Sequence, residues 1–99
     1  MTIPVVAIFT AKPGKEHELE ALFRGLIETT LKEEGCIHYQ LNRDLKNPGR
    51  FVWIEEWESE AALERHSAAP HLQALAAKLP ECAETGDVIV LGKLAGGAA

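Results

Sequence analysis

The segment from Phe51 to Trp57 alternates between two faces when it is read as a β-strand. Val52, Ile54 and Glu56 fall on one face, and the other carries Phe51, Trp53, Glu55 and Trp57. Both tryptophans of the chain and one of its three phenylalanines share that second face. Such an aromatic wall is typical either of core or of a site for a planar ligand. Glu55 favours a site, because burying an unpaired carboxylate is costly.

The same hydrophobic periodicities divide the rest of the chain into strands and helices. Two-residue alternation and β-branched runs predict strands at about Ile3–Ala11, Cys36–Asp44, Arg50–Glu58 and Thr85–Leu94. Helical spacing predicts helices at Glu16–Glu34, Glu60–Ser67 and His71–Leu79, the second capped by Ser59 and the last stopped by Pro80. Turns are predicted at Lys12–Lys15 and Asn47–Arg50, and a loop at Glu81–Asp87.

The last two predicted helices count as one helical region that Pro70 interrupts, so the order is β-α-β-β-α-β. This order predicts an α+β protein with a ferredoxin-like antiparallel sheet and both helical regions on one face. The first predicted strand is nevertheless apolar on both faces, with Val5 and Ala7 on one and Val6 and Ile8 on the other. The chain has no further element to cover the second face. A second copy of the same sheet would cover it, so we expect a two-fold homodimer.

Length and composition are those of one globular domain, here residues 1–99, with a frayed tail from about residue 95. The net charge of −5 and the lack of any Lys/Arg run argue against nucleic acid as the partner. No apolar run approaches a membrane span, and the N-terminus lacks a signal-like segment, so a cytoplasmic protein is expected. Cys36 and Cys82 are too few for a disulfide scaffold and are expected to be reduced thiols.

Candidate chemistry lies in residues near the aromatic wall. His66 falls on the apolar side of its predicted helix, where a neutral imidazole could act as a base or could simply be a hydrogen-bonded core histidine. Tyr39 could hydrogen-bond a substrate oxygen or only pack, and His71 could be a surface residue at a helix start. A metal site from His66, His71 and Glu55 is poorly supported by spacing, and no metal is expected. The absence of a GxGxxG loop leaves a flavin or nicotinamide site unsupported.

Several segments together resemble one known family. Lys32-Glu-Glu-Gly-Cys36, Tyr39, Phe51 with Glu55-Glu-Trp-Glu-Ser59, Leu63-Glu-Arg-His66 and Pro70-His-Leu72 are similar to the antibiotic biosynthesis monooxygenase (ABM) family, and most to its quinol monooxygenase branch. The resemblance implies a dimeric α+β barrel with a pocket in each subunit between sheet and helices. It also implies oxidation of a small phenolic or quinol-like aromatic by O₂, with no flavin, metal or haem.

On this basis we expect catalytic roles for His66, His71 and Tyr39. Substrate-binding roles are expected for the residues of the aromatic face: Trp57, Trp53, Glu55 and Phe51. Two differences from relatives argue against two of the reactions known in the family, haem degradation and anthrone oxidation. Haem-degrading relatives carry a ligating histidine where this chain has Ala76, and anthrone-oxidising relatives carry an asparagine where it has Trp53. Two alternatives stay open: an isomerase of a phosphorylated sugar-like or keto compound, and a non-catalytic dimeric ligand-binding module.

Overall fold

A computed structural model describes residues 1–97 as one four-stranded antiparallel sheet with helices on one face. The strands are β1 (Ile3–Ala11), β2 (Cys36–Asp44), β3 (Asn47–Trp57) and β4 (Ala83–Val90). The helices are α1 (Glu16–Arg24), α2 (Ile27–Leu31), α3 (Glu60–Ala68) and α4 (Pro70–Cys82). Residues 98 and 99, the end of the predicted frayed tail, lie outside this range.

The strand order β2-β3-β1-β4 confirms the predicted ferredoxin-like fold. β3 and β1 are the central strands, and their register pairs Ala7 with Trp53 and Val5 with Glu55. Residues that face each other across a pair share a side of the sheet. The predicted face of Phe51, Trp53, Glu55 and Trp57 is therefore the side that the helices bury.

The core is built on this aromatic face. Phe23 of α1 makes edge-to-face contacts with both Phe51 and Trp53, with centroids 5.9 and 5.4 Å apart. Edge-to-face contacts of this kind suit the charge distribution of aromatic rings. Leu19 and Leu26 of the same helical segment are buried beside them, whereas Leu31, which the period also put on the apolar side, is exposed.

The predicted single helix from Glu16 to Glu34 is wrong. It is interrupted at Gly25–Leu26 and ends at Leu31. The interruption follows from glycine's low helix propensity, and the Leu26 N–H turns to the carbonyl of Phe23 instead of continuing the four-residue pattern. At the end, the N–H groups of Lys32 and Glu33 also bond three residues back. The chain therefore leaves α2 in a tight turn that carries Glu33 towards α3.

The predicted stop at Pro80 and loop at Glu81–Asp87 are also wrong. Pro80 lies inside the last turn of α4, which continues to Cys82, and β4 begins at the next residue. The strand forms early because the edge of β1 offers pairing partners from Ala11 to Val5. It ends at Val90, short of the predicted Leu94. Such long-range pairing is not visible in local turn propensities.

The two ends of β2 depart from regular alternation and from the predicted turn. The hairpin turns at Leu45 and Lys46, and the predicted turn Asn47–Arg50 instead forms the start of β3. The Asp44 carboxylate accepts a hydrogen bond from the Lys46 N–H at 2.9 Å, which stabilises the tighter turn. An irregularity near Ile37 pairs Cys36 with Trp57, so the Cys36 thiol joins the helix-covered side and not the side of His38.

The other face of the sheet is uncovered in residues 1–97, as the pattern predicted. Val6 pairs with Ile54 on one flank and with Ile89 on the other. Ile54 and Ile89 are 43% and 40% exposed.

None of the helices within residues 1–97 is long and apolar enough to cross a bilayer.

Candidate active site

A small cavity of about 110 Å³ lies between the sheet and the helices. Most of its lining is apolar, and the polar groups that reach it include Tyr39, Glu55, His66 and Ser67. Val88 and Ser67 both line the cavity and are exposed, which places its opening between the edge of β4 and the end of α3. An apolar cavity with a few converging polar groups is the usual form of a small-molecule site.

His66 is more buried than His71, the other histidine of the site, and Glu33 sets the orientation of its ring. Its Nδ1 lies 2.7 Å from Glu33 Oε2. A carboxylate can only accept, so Nδ1 carries the hydrogen and Nε2 is left with a lone pair. Burial lowers the pKa of His66, while the hydrogen bond and charge of Glu33 act in the opposite direction. The ring is therefore a neutral imidazole whose second nitrogen is available to a ligand.

His71 approaches the same carboxylate oxygen from α4. Its Nε2 lies 3.3 Å from Glu33 Oε2 and 3.0 Å from the Thr30 hydroxyl. The two imidazole rings are 6.0 Å apart, centre to centre. One oxygen of Glu33 thus joins two histidines that come from different helices, on either side of the break at Ala69.

Glu55 and Trp57 form a buried hydrogen-bonded pair behind the cavity. The indole Nε1 donates to Glu55 Oε1 at 2.9 Å. Burial raises the pKa of Glu55, opposed by the hydrogen bond from Trp57 and reinforced by the charge of Glu33. The indole also tilts against the His66 ring, with centroids 4.4 Å apart. Trp57 therefore fixes the positions of both ionisable groups.

Tyr39 enters the site from β2, opposite Glu55 in the register. Its ring stacks on Trp53 at 4.4 Å and stands edge-on to His66 at 5.4 Å. Burial, and next the charge of Glu55, raise the pKa of its hydroxyl. Tyr39 is accordingly a hydrogen-bond donor at neutral pH and not a base.

The structure brings four of the seven predicted site residues to the cavity wall: Tyr39, Trp53, Glu55 and His66. Trp57 and His71 stand one layer behind, in contact with His66. Phe51 lies further along the strand, packed against Phe23 on one side and beneath the guanidinium of Arg43, 5.2 Å from its ring centre. It supports the core there and does not line the cavity.

Glu33 is the residue that the sequence analysis missed. It belongs to a stretch of charged residues before Gly35 that periodicity assigned to a helix end. The usable signal is topological, because an antiparallel pairing of β2 with β3 brings the residues before Cys36 beside Trp57 and the start of α3. Cys36 pairs with Trp57, and the Glu58 N–H bonds to the Gly35 carbonyl.

Glu33, His66 and His71 have donor atoms within 4.8 Å of one another and could in chemical terms hold a metal ion. Glu33 takes the place given to Glu55 in the sequence-based metal hypothesis. Donors on one ion stand about 3.0 to 3.4 Å apart, given bonds of about 2.1 Å in octahedral or tetrahedral geometry. The contact of 2.7 Å is shorter than this and is that of a hydrogen bond.

A larger groove of about 500 Å³ runs between α1 and the end of α4. Its lining comprises Lys15, Glu18, Ala21, Leu22, Lys78, Glu81 and Cys82. It contains neither an aromatic ring nor an imidazole, so the smaller cavity is the better candidate despite its size.

Comparison with known proteins agrees with the fold. "Probable quinol monooxygenase YgiN" of Escherichia coli is 37% identical over 82 residues, 73% of this chain and 79% of that protein. "Uncharacterized protein sll1783" of Synechocystis is 33% identical over 79 residues. That match covers 80% of this chain but only 54% of the length of that relative. The crystal structure of PA3566 from Pseudomonas aeruginosa superimposes with a TM-score of 0.90 at 31% identity, covering 95% of each chain. The model of the family described as "Antibiotic biosynthesis monooxygenase" matches residues 2–78, and this chain belongs to that family.

Proposed function

We propose that this protein is a monooxygenase that oxidises a small, single-ring phenol or quinol with O₂ and without flavin, metal or haem. The observation that carries the proposal is the apolar cavity into which His66 and Glu55 both reach. Monooxygenase chemistry is the general character of the family and of its named relatives. The substrate class and the roles of individual residues are inferred from this site.

His66 is the proposed base. A phenol reacts with O₂ only slowly, but the phenolate is a far better electron donor. The lone pair on His66 Nε2, fixed by the Glu33 contact at Nδ1, can accept the hydroxyl proton in the cavity. The lowered pKa keeps the ring neutral before the substrate binds. Apolar surroundings then leave the phenolate little water to stabilise it.

Glu55 and Tyr39 are proposed to orient the ring. The raised pKa of the Glu55 carboxyl suits it to hydrogen-bond a hydroxyl of the substrate, and Tyr39 can donate to a second oxygen.

The reaction balances as hydroquinone plus O₂ giving hydroxyquinone plus water. The phenolate transfers an electron to O₂, the two radicals join at a ring carbon, and the O–O bond breaks. That carbon loses its hydrogen as a proton, and the distal oxygen leaves as water.

The cavity's volume supports a single ring. A cavity of about 150 Å³ in another protein holds benzene. The 110 Å³ of this cavity is of that order and would need to widen for a fused two-ring substrate. Trp53 occupies part of the space, stacked on Tyr39. No Lys or Arg is among the lining residues, which weighs against the phosphorylated substrate of the isomerase alternative.

The decisive assay follows O₂ consumption with an electrode across a panel of hydroquinones, catechols and naphthols. We expect turnover of single-ring hydroquinones, little turnover of naphthols, and loss of activity in His66→Gln. His38→Gln is the matched control, because His38 is exposed on a strand of the same sheet. An absence of O₂ uptake above the buffer rate across the panel would overturn the proposal. Turnover of a keto compound under strict anaerobiosis would favour an isomerase instead.

We further propose that the protein works as a homodimer joined through the uncovered sheet face. The support is the apolar face around Val6, Ile54 and Ile89, which the chain's helices leave open. Light scattering after size exclusion should give twice the mass of 10.8 kDa at micromolar concentration. Ile54→Lys should yield a monomer, and the exposed Leu45→Lys on the hairpin turn should not. A wild-type monomer would refute this assembly.

A further inference from the structure

The Glu33 carboxylate makes an arrangement that the proposed oxidation does not itself require. A single oxygen, Oε2, contacts Nδ1 of His66 at 2.7 Å and Nε2 of His71 at 3.3 Å. Orienting His66 needs only the first contact. We propose that Glu33 and His71 form a proton relay that carries the substrate's proton out of the cavity, and this inference rests on the proposed function.

The relay accounts for each proton. The substrate O–H bond breaks and the proton bonds to His66 Nε2. The hydrogen on His66 Nδ1 then passes to Glu33 Oε2, and from there to Nε2 of His71. His66 ends as a neutral imidazole of the other tautomer, Glu33 is again a carboxylate, and the positive charge rests on His71. No electron moves in these steps, and the reverse sequence returns the proton when the distal oxygen of the peroxide leaves as water.

The starting hydrogen positions suit this direction. The Thr30 hydroxyl lies 3.0 Å from His71 Nε2, closer than Glu33 does, and can donate to it. In this state Nε2 of His71 carries a lone pair, and the Thr30 hydroxyl must rotate its hydrogen away before that lone pair receives the proton from Glu33. Exposure rises along the path, since the side chain of His66 is 6% exposed and that of His71 is 20% exposed. A cation is better solvated at His71 than beside the cavity.

Moving the charge has a chemical advantage. If the positive charge stayed on His66, the imidazolium could return its Nε2 proton to the phenolate before O₂ reacts. Transfer of the Nδ1 proton to His71 places two groups between the charge and the ring. The neutral His66 is a much weaker acid, and its Nε2–H then donates a hydrogen bond to the phenolate. Glu33 and His71 act through His66, so they are relay residues and not catalytic residues in the strict sense.

The first test needs no turnover and uses nitrogen-15 NMR of the histidine rings in the full-length protein. We expect His66 and His71 each to hold the hydrogen on Nδ1 in the free protein, because the relay needs a lone pair on Nε2 of both rings. A hydrogen on Nε2 of His71 would overturn the relay even if the protein is an oxygenase, because that nitrogen could not then accept a proton from Glu33.

The second test compares Glu33→Gln with Glu34→Gln, its exposed neighbour, in the O₂ assay. Loss of the relay should lower kcat by about tenfold or more while KM changes little. Added imidazole should restore part of kcat in His71→Ala and leave the wild type unchanged. Equal kcat in Glu33→Gln and Glu34→Gln would overturn the relay while leaving the oxidation intact. A stoichiometric metal in the purified protein, lost in Glu33→Gln, would also overturn it and make the cluster a metal centre.

Discussion

Replacing Trp57 with phenylalanine tests whether the buried indole holds Glu55 in place. The substitution keeps an aromatic ring in the core but removes the N–H that donates to Glu55 Oε1 at 2.9 Å. The carboxyl is then buried without that partner. Trp53→Phe is a matched control, since Trp53 lies on the same strand and face and is equally buried. In the part of the chain that the structure describes, its indole N–H has no side-chain acceptor.

The expected magnitude follows from the pair's burial. Both substitutions remove the same atoms from the core, so their packing losses are similar in kind. A hydrogen bond to a charged group such as a carboxylate is worth about 1.5 to 3 kcal/mol, and only Trp57→Phe loses it. The free energy of unfolding of Trp57→Phe should therefore lie below that of Trp53→Phe by about that amount. In a domain of this size the difference corresponds to roughly 6 to 24 °C in Tm.

The assay is urea denaturation followed by circular dichroism, at one protein concentration because dimer formation would link stability to concentration. A double-mutant cycle with Glu55→Met isolates the pair. Without the carboxyl, Trp57→Phe should destabilise no more than Trp53→Phe does. Additive effects of Trp57→Phe and Glu55→Met, within about 0.5 kcal/mol, would refute the reasoning, because additivity means that the two side chains do not interact.

Two further predictions concern the elements around the site. Gly35→Ala should lower the free energy of unfolding by more than Gly14→Ala does. Both glycines have φ above +80°, but a Cβ at Gly35 would stand 2.5 Å from Ala62 Cβ, whereas a Cβ at Gly14 would meet open space. Equal losses of stability in thermal unfolding would contradict the close approach at Gly35. In His66→Gln the free energy of unfolding should decrease less steeply than in the wild type as the pH falls below about 6.5. The unfolded histidine binds a proton there more readily than the buried one, whose pKa is lowered, so the wild type loses stability as pH decreases through this range. Parallel Tm-against-pH curves for the two proteins would show that His66 does not titrate as described.

The elements and their faces were predictable because each depends on residues close in sequence. Alternation from Phe51 to Trp57 identified the buried face of β3 correctly, including Glu55. The same pattern identified the uncovered second face, since an apolar residue such as Ile54, which is 43% exposed, has no local reason to face solvent. His66 was predictable as a buried imidazole from its place on the apolar side of α3.

Boundaries and partners were decided by tertiary structure. Pro80 remains in a helix, and the following residues form β4 instead of a loop, because β1 offers an open edge that no turn propensity can reveal. Glu33 went unrecognised for the same kind of reason. It is 33 residues from His66 in sequence, and the two meet only because the pairing of β2 with β3 brings the end of α2 beside α3. Local periodicity specifies which way a side chain points, but the register of distant strands determines which side chains it meets, and the candidate site depends on that register.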